Sequence, residues 1–198
     1  MKYYSALLAL FLFTLLLLAV YWLHITLYKV DVLLYSSIAD GVLATVITAT
    51  LLFGLSFFRQ FNKFEKSLLI VIMLLAGYIF AISIPTVIDR SLSFYILEKI
   101  QQRGGGIRFD KFQDVFTKEY VKEHRLVDVR LTEQQASGTI VIENGCVKLT
   151  DRGRELATFS RLFRRHFLPK QRLLMGHYSD DLTDPFRNSA NITGYECQ

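Results

Sequence analysis

Charge is what the first 89 residues lack. No Asp, Glu, Lys or Arg occurs at positions 3 to 28, 41 to 58 or 67 to 88, giving runs of 26, 18 and 22 residues, where about 20 apolar residues span a bilayer. Proline is scarce as well, at three residues, so long helices meet few breakers. The 198-residue chain is 52% apolar and only 21% charged, with a mean hydropathy of +0.29. These values exclude a wholly soluble globular protein and an intrinsically disordered one. Membrane helices are expected at 5 to 26, 37 to 58 and 67 to 88. Three helices enclose little, which argues against a channel or a large transporter bundle.

Residues 1 to 89 hold five Lys or Arg against four acids, and residues 90 to 198 hold 18 against 14, so the net charge of +5 divides as +1 and +4. The second part is mildly basic and long enough to bury a core of its own. The expected fold class is therefore a mostly α membrane protein: a membrane domain over 1–89, a small α+β domain over 90–168, and an extended or partly disordered tail over 169–198. The setting that fits best is a bacterial inner (plasma) membrane.

Lys2 followed by a long apolar run with no Ala-x-Ala site reads as an uncleaved anchor. The segment Arg59-Gln-Phe-Asn-Lys-Phe-Glu-Lys66 packs three cations into eight residues, and short cation-rich loops stay in the cytoplasm. Tallied over alternate segments, Lys2 with those three balances Lys29, Arg90, Lys99 and Arg103. The density of the loop then favours an outward C-terminal domain. So do the two cysteines, Cys146 and Cys197, both in that domain, as one disulfide fits an oxidising compartment and two free thiols remain the alternative.

Gly41 to Ala44 and Ala76-Gly77 are the expected seams between spans, where small residues let helices approach. Tyr3, Tyr4, Tyr21, Trp22, Tyr28 and Tyr35 form an interfacial belt. Lys29, Asp31, Asp40, Asp89 and Arg90 lie near one membrane face. Asp40, one position before a charge-free run, is expected at headgroup depth, with a buried pairing to Lys29 or Arg90 as the functional alternative. Pro85 should kink or end the third span about one turn before Asp89.

Beyond the membrane, Ser91 caps a helix with Leu92, Ile96, Leu97 and Ile100 on one face, and Gly104-Gly-Gly106 stops it. A second helix follows Asp110, and a third runs from about Val127 to Ser137. Asn144-Gly145, between two alternating runs, marks a hairpin. A fourth helix runs from about Arg152 to Phe167. The order helix, helix, helix, hairpin, helix, with the stretch from Gly138 to Gly153 and its Leu149-Thr-x-x-Gly153 exit, resembles a winged-helix domain. That resemblance implies either a DNA reader or a protein-docking module, with the apolar side of the last helix buried against the first.

The third helix is a poor DNA reader, because Asp128 and Glu133 cancel Arg125 and Arg130, leaving Gln134 and Gln135 to touch bases. The fourth helix carries Leu156, Phe159, Leu162, Phe163 and Phe167 on a stripe, with Arg154, Arg161, Arg164 and Arg165 mainly away from it. Those arginines read either as a solvated face or as a grip on anionic lipid or the phosphates of a lipid-linked substrate. His24 and His166 have no evident partners, and His177 with Asp180 and Asp181 reads as a polar loop. Asn191-Ile-Thr193 matches a glycosylation acceptor, which matters only in a eukaryotic secretory compartment. The residues suggest no catalytic set, no metal site and no cofactor. The interaction candidates are Asp40, Asp89, Arg90, Arg161, Arg164 and Arg165. The leading expectation is a non-catalytic accessory or regulatory subunit, docking on a larger membrane protein or on itself in cell-envelope or lipid-linked glycan assembly. The alternative is a membrane-bound transcription regulator that binds DNA.

Overall fold

A computed structural model describes residues 2–187. Three helices are long and apolar enough to cross a membrane: α1 (Lys2–Leu27), α2 (Leu33–Gly54), and α3 (Lys63–Ser83) prolonged by α4 (Pro85–Arg90). The middle one packs on both others. Small residues permit this where α2 meets α3: a Cβ placed on Gly77 would lie 3.0 Å from the Cα of Gly41, so the two backbones touch at the expected seam. Ala9, Phe13, Leu17, Ala44, Leu52 and Met73 form the core between the helices. The hydroxyls of Ser37, Thr45 and Thr48 each donate to the carbonyl four residues back at 2.8 Å, which satisfies them without leaving the helix.

Both later spans begin four residues before the positions expected from charge. Ser56–Gln60 folds as a 3-10 turn rather than continuing α2. Asn62 starts α3 with a capping box, its side chain accepting from the Glu65 amide while the Glu65 carboxylate accepts from the Asn62 amide, both at 2.8 Å. Lys66, 7% exposed, donates to the Leu52 carbonyl at 2.6 Å and closes the end of α2. Pro85 takes the first position of α4, ending α3 at Ser83 as a residue without an amide donor should.

Ser91 accepts from the Phe94 amide and caps α5 (Leu92–Gln102). The stretch 109–123 is helical throughout but not uniformly so. It opens as 3-10 at Phe109–Lys111, runs through α6 (Phe112–Asp114), widens to a π-helix over Val115–Tyr120 and closes as α7 (Val121–Glu123). Tyr95 of α5 packs on Val115 and Tyr120. This small core joins α5 to the stretch 109–123, and by its contacts the chain forms two compact units, Met1–Leu126 and Val127–Gln198.

The second unit begins in α8 (Leu126–Ala136). Strands β1 (Ile140–Glu143) and β2 (Cys146–Leu149) pair antiparallel across Asn144 and Gly145, whose φ values of +52° and +75° are those of the expected turn. α9 (Asp151–Phe167) follows at once. Thr150 links the two: its hydroxyl donates to the Gly138 carbonyl at 2.8 Å and accepts from the Gly153 amide at 3.1 Å. Beyond α9 the sequence suggested an extended arm, but β3 (Arg172–Leu174) and β4 (His177–Ser179) form a second hairpin. Met175 and Gly176 turn it with positive φ, a signal weaker than Asn-Gly. The winged-helix order of elements is present, yet its helices fall in two units and the apolar stripe of α9 is exposed, Phe159 by 62%. A winged-helix core is not confirmed.

Candidate functional site

Three arrangements stand out, two in the first unit and one in the second. The first lies between α1 and α2. Asp40 sits two turns into α2 and is only 3% exposed. One carboxylate oxygen meets Nδ1 of His24 at 2.6 Å, and the other, Oδ2, has no hydrogen-bond partner among the described residues. An ionised carboxylate only accepts, so Nδ1 donates to it; in the neutral form of the ring Nε2 is then the acceptor. Tyr28 meets the His24 ring edge to face at 5.8 Å. The pair opens into a cleft of about 420 Å³ walled by Val20, Leu23 and Leu43.

The second arrangement is an ion network beyond the spans. Lys99, with a side chain 5% exposed, bridges Glu119 and Glu123, each at 2.7 Å, and Arg103 binds Glu119 at 2.9 Å. The Tyr95 hydroxyl donates to Glu123 at 2.9 Å. The Glu119 and Glu123 carboxylates push the Lys99 ammonium up to about 12, and Lys99 in turn holds both carboxyls below their ordinary range. Burial, then the bond to Glu123, pushes the Tyr95 phenol up to about 12. Every member is matched, which is how a structural network looks.

The third arrangement is the surface of α9. Its stripe of Leu156, Phe159, Leu162, Phe163 and Phe167 is exposed, and Phe159, Phe163 and Phe167 stack in a row with centroids 5.9 and 5.2 Å apart. On the neighbouring face, Arg161, Arg164 and Arg165 line a cleft of about 320 Å³ closed by Thr183, Asp184 and Phe186. None of these three arginines forms an ion pair among the described residues. Guanidinium groups bind carboxylate and phosphate alike, and Asp184 places one carboxylate in the same cleft.

Of the residues singled out in the sequence, Arg161, Arg164 and Arg165 thus come together. Asp40 is buried two turns into α2, and its hydrogen-bond partner is His24, not Lys29 or Arg90. Asp89 is exposed and Arg90 half-buried at the end of α4. Arg130 is held by Glu133 at 2.9 Å. Asp180 and Asp181 bind Arg187 rather than His177, and no group of three or more His, Cys, Asp or Glu among the described residues is placed to hold a metal. Cys146 is disulfide-bonded, while Cys197 and the Asn191 motif lie outside the described residues. Sequence spacing missed the His24–Asp40 pair and the lysine bridge, because each joins residues on different helices. Comparison with protein-family models, with curated proteins and with solved structures found no match.

Proposed function

We propose that this chain is a membrane-anchored accessory subunit whose α9 docks on a larger membrane protein. The observation that carries the reading is the uncovered aromatic row of α9 lying beside three arginines without ion pairs. Exposed Phe side chains in a row cost solvation free energy unless a partner covers them. Adjacent arginines supply register through bidentate bonds to carboxylates or phosphates. The phosphates of a lipid-linked substrate held by that partner are suitable anions for the cleft. The loop cations Arg59, Lys63 and Lys66 and the disulfide bond of Cys146 support an outward second unit, which would separate α9 from the chromosome.

A photoreactive side chain at Phe163, activated in native membranes, tests the proposal. The expected product is one discrete adduct with a larger membrane protein, lost when Arg161, Arg164 and Arg165 become Gln. Adducts only with lipid, or only with a second copy of this chain, would overturn it. So would salt-sensitive, sequence-selective binding of the full chain to duplex DNA that disappears when Arg130, Gln134 and Gln135 become Ala.

A further inference from the structure

We infer that the cleft between α1 and α2 binds the primary ammonium headgroup of a phospholipid, with Asp40 and His24 as its acceptors. The inference is independent of the docking surface on α9. It starts from an unmet demand: Oδ2 of Asp40 is buried without a hydrogen-bond partner among the described residues, and only one carboxylate oxygen is used by His24. An ionised carboxylate in apolar surroundings requires donors, and a cation most of all. No donor among the described residues reaches Oδ2, but the cleft does open on this pair.

The shape of the cleft restricts the donor. At about 420 Å³ it matches small-molecule sites in size, and beside the pair it is walled by Val20, Leu23, Ala39 and Leu43, which are apolar, and by Tyr28. An occupant therefore combines an apolar body with a compact head that donates. His24 lies three residues from the end of α1, so the acceptors stand close to the end of a span, where headgroups and acyl chains meet. A primary ammonium has three donors and no acceptor, enough for Oδ2 of Asp40 and Nε2 of His24 together. Nε2 makes no hydrogen bond among the described residues. Lys29 follows Tyr28, a lining residue, in the chain and has no ion pair among the described residues. A quaternary ammonium has no N–H, so choline lipids lack the bonds on which the site depends.

The purified full chain, in bilayer discs of phosphatidylethanolamine and phosphatidylcholine with identical acyl chains, is released into native mass spectrometry. Retained ethanolamine lipid should exceed choline lipid by about ten-fold, the scale of one charge-assisted hydrogen bond. Asp40→Asn keeps the shape and removes the charge, and should bring the ratio close to one. His24→Gln should lower it part of the way, and it decides the matter if Asp40→Asn fails to fold. Equal retention of both lipids by the unaltered chain overturns the proposal, as does a preference that survives in a folded Asp40→Asn chain. If the unaltered chain shows no preference but Asp40→Asn releases a co-purifying membrane protein, the acceptors serve a basic side chain of that protein and the lipid proposal fails. The α9 adduct should form normally in Asp40→Asn, so failure of one proposal is distinguishable from failure of the other.

Discussion

Gly153→Ala should destabilise the second unit, although helix propensity predicts the reverse. Alanine in place of glycine within a helix is worth about 1 kcal/mol in its favour. At Gly153, however, a Cβ would lie 2.0 Å from the Thr139 carbonyl oxygen and 3.1 Å from the Leu149 side chain. Ordinary contact begins at 3.4 Å, so the backbone at Thr139, just before β1, must retreat by more than an ångström. Thr139 is almost fully buried and its carbonyl accepts from the Thr150 amide at 3.2 Å. Retreat removes that bond, leaving a buried acceptor unmet at about 1–3 kcal/mol. Forced overpacking adds about 1–3 kcal/mol. Less the gain in propensity, the net loss is about 1–5 kcal/mol, with a middle value that is a large share of the stability of a small domain. Hydrogen exchange of the full chain in detergent, followed on peptides covering 138 to 156, should show protection falling by at least ten-fold. Unchanged or greater protection would mean that Thr139 does not press on the first turn of α9.

Gly77→Ala sets a Cβ against the Gly41 backbone and should cost about 1–3 kcal/mol by overpacking, read as a lower unfolding temperature in micelles; an unchanged temperature would remove the α2–α3 contact. The network around Lys99 should stabilise α5 to α7 over a defined pH window. Lys99 and Tyr95 have raised values, so their contributions are complete below about 10 and fade as pH climbs through about 12. Glu119 and Glu123 have lowered values, so theirs are complete above the ordinary 4.5 and fade as pH falls. The difference in tyrosinate absorbance between the protein and Tyr95→Phe should emerge near pH 12; emergence near 10 would dissolve the network.

The parts of the fold that were legible in the sequence are those decided over a few residues. Asn144-Gly145 needs no distant partner to turn a strand, Ser91 caps α5 with its own hydroxyl, and Pro85 breaks α3 because its ring has no amide donor. Span positions were less legible, because a charge-free run marks the apolar stretch of a helix and not its ends. Asp40 lies inside α2 since His24 meets it, and a charge with a partner does not mark a boundary. That pairing did leave a trace: His24 and Asp40 are each eight residues from Val32, within the turn that joins α1 to α2, so an antiparallel hairpin sets them opposite one another. The exposed stripe of α9 was visible as a stripe, but whether a helix face is covered depends on the rest of the fold.

Lys66 ties two properties of the molecule to one side chain. Arg59 and Lys63 are exposed, and either can lose its charge with no loss of packing. Lys66 instead donates to the last turn of α2 and lies over the Phe53 ring at 4.8 Å. Its loss would strip the Leu52 carbonyl of its donor and loosen the turn between α2 and α3, while removing one of the three cations from which insertion was expected to take its direction. A lineage that drifted toward the opposite insertion by shedding these cations would therefore have to rebuild the hairpin at the same step. Charge-swap experiments meant to invert the protein should spare Lys66, so that a change in insertion is not confused with a broken fold.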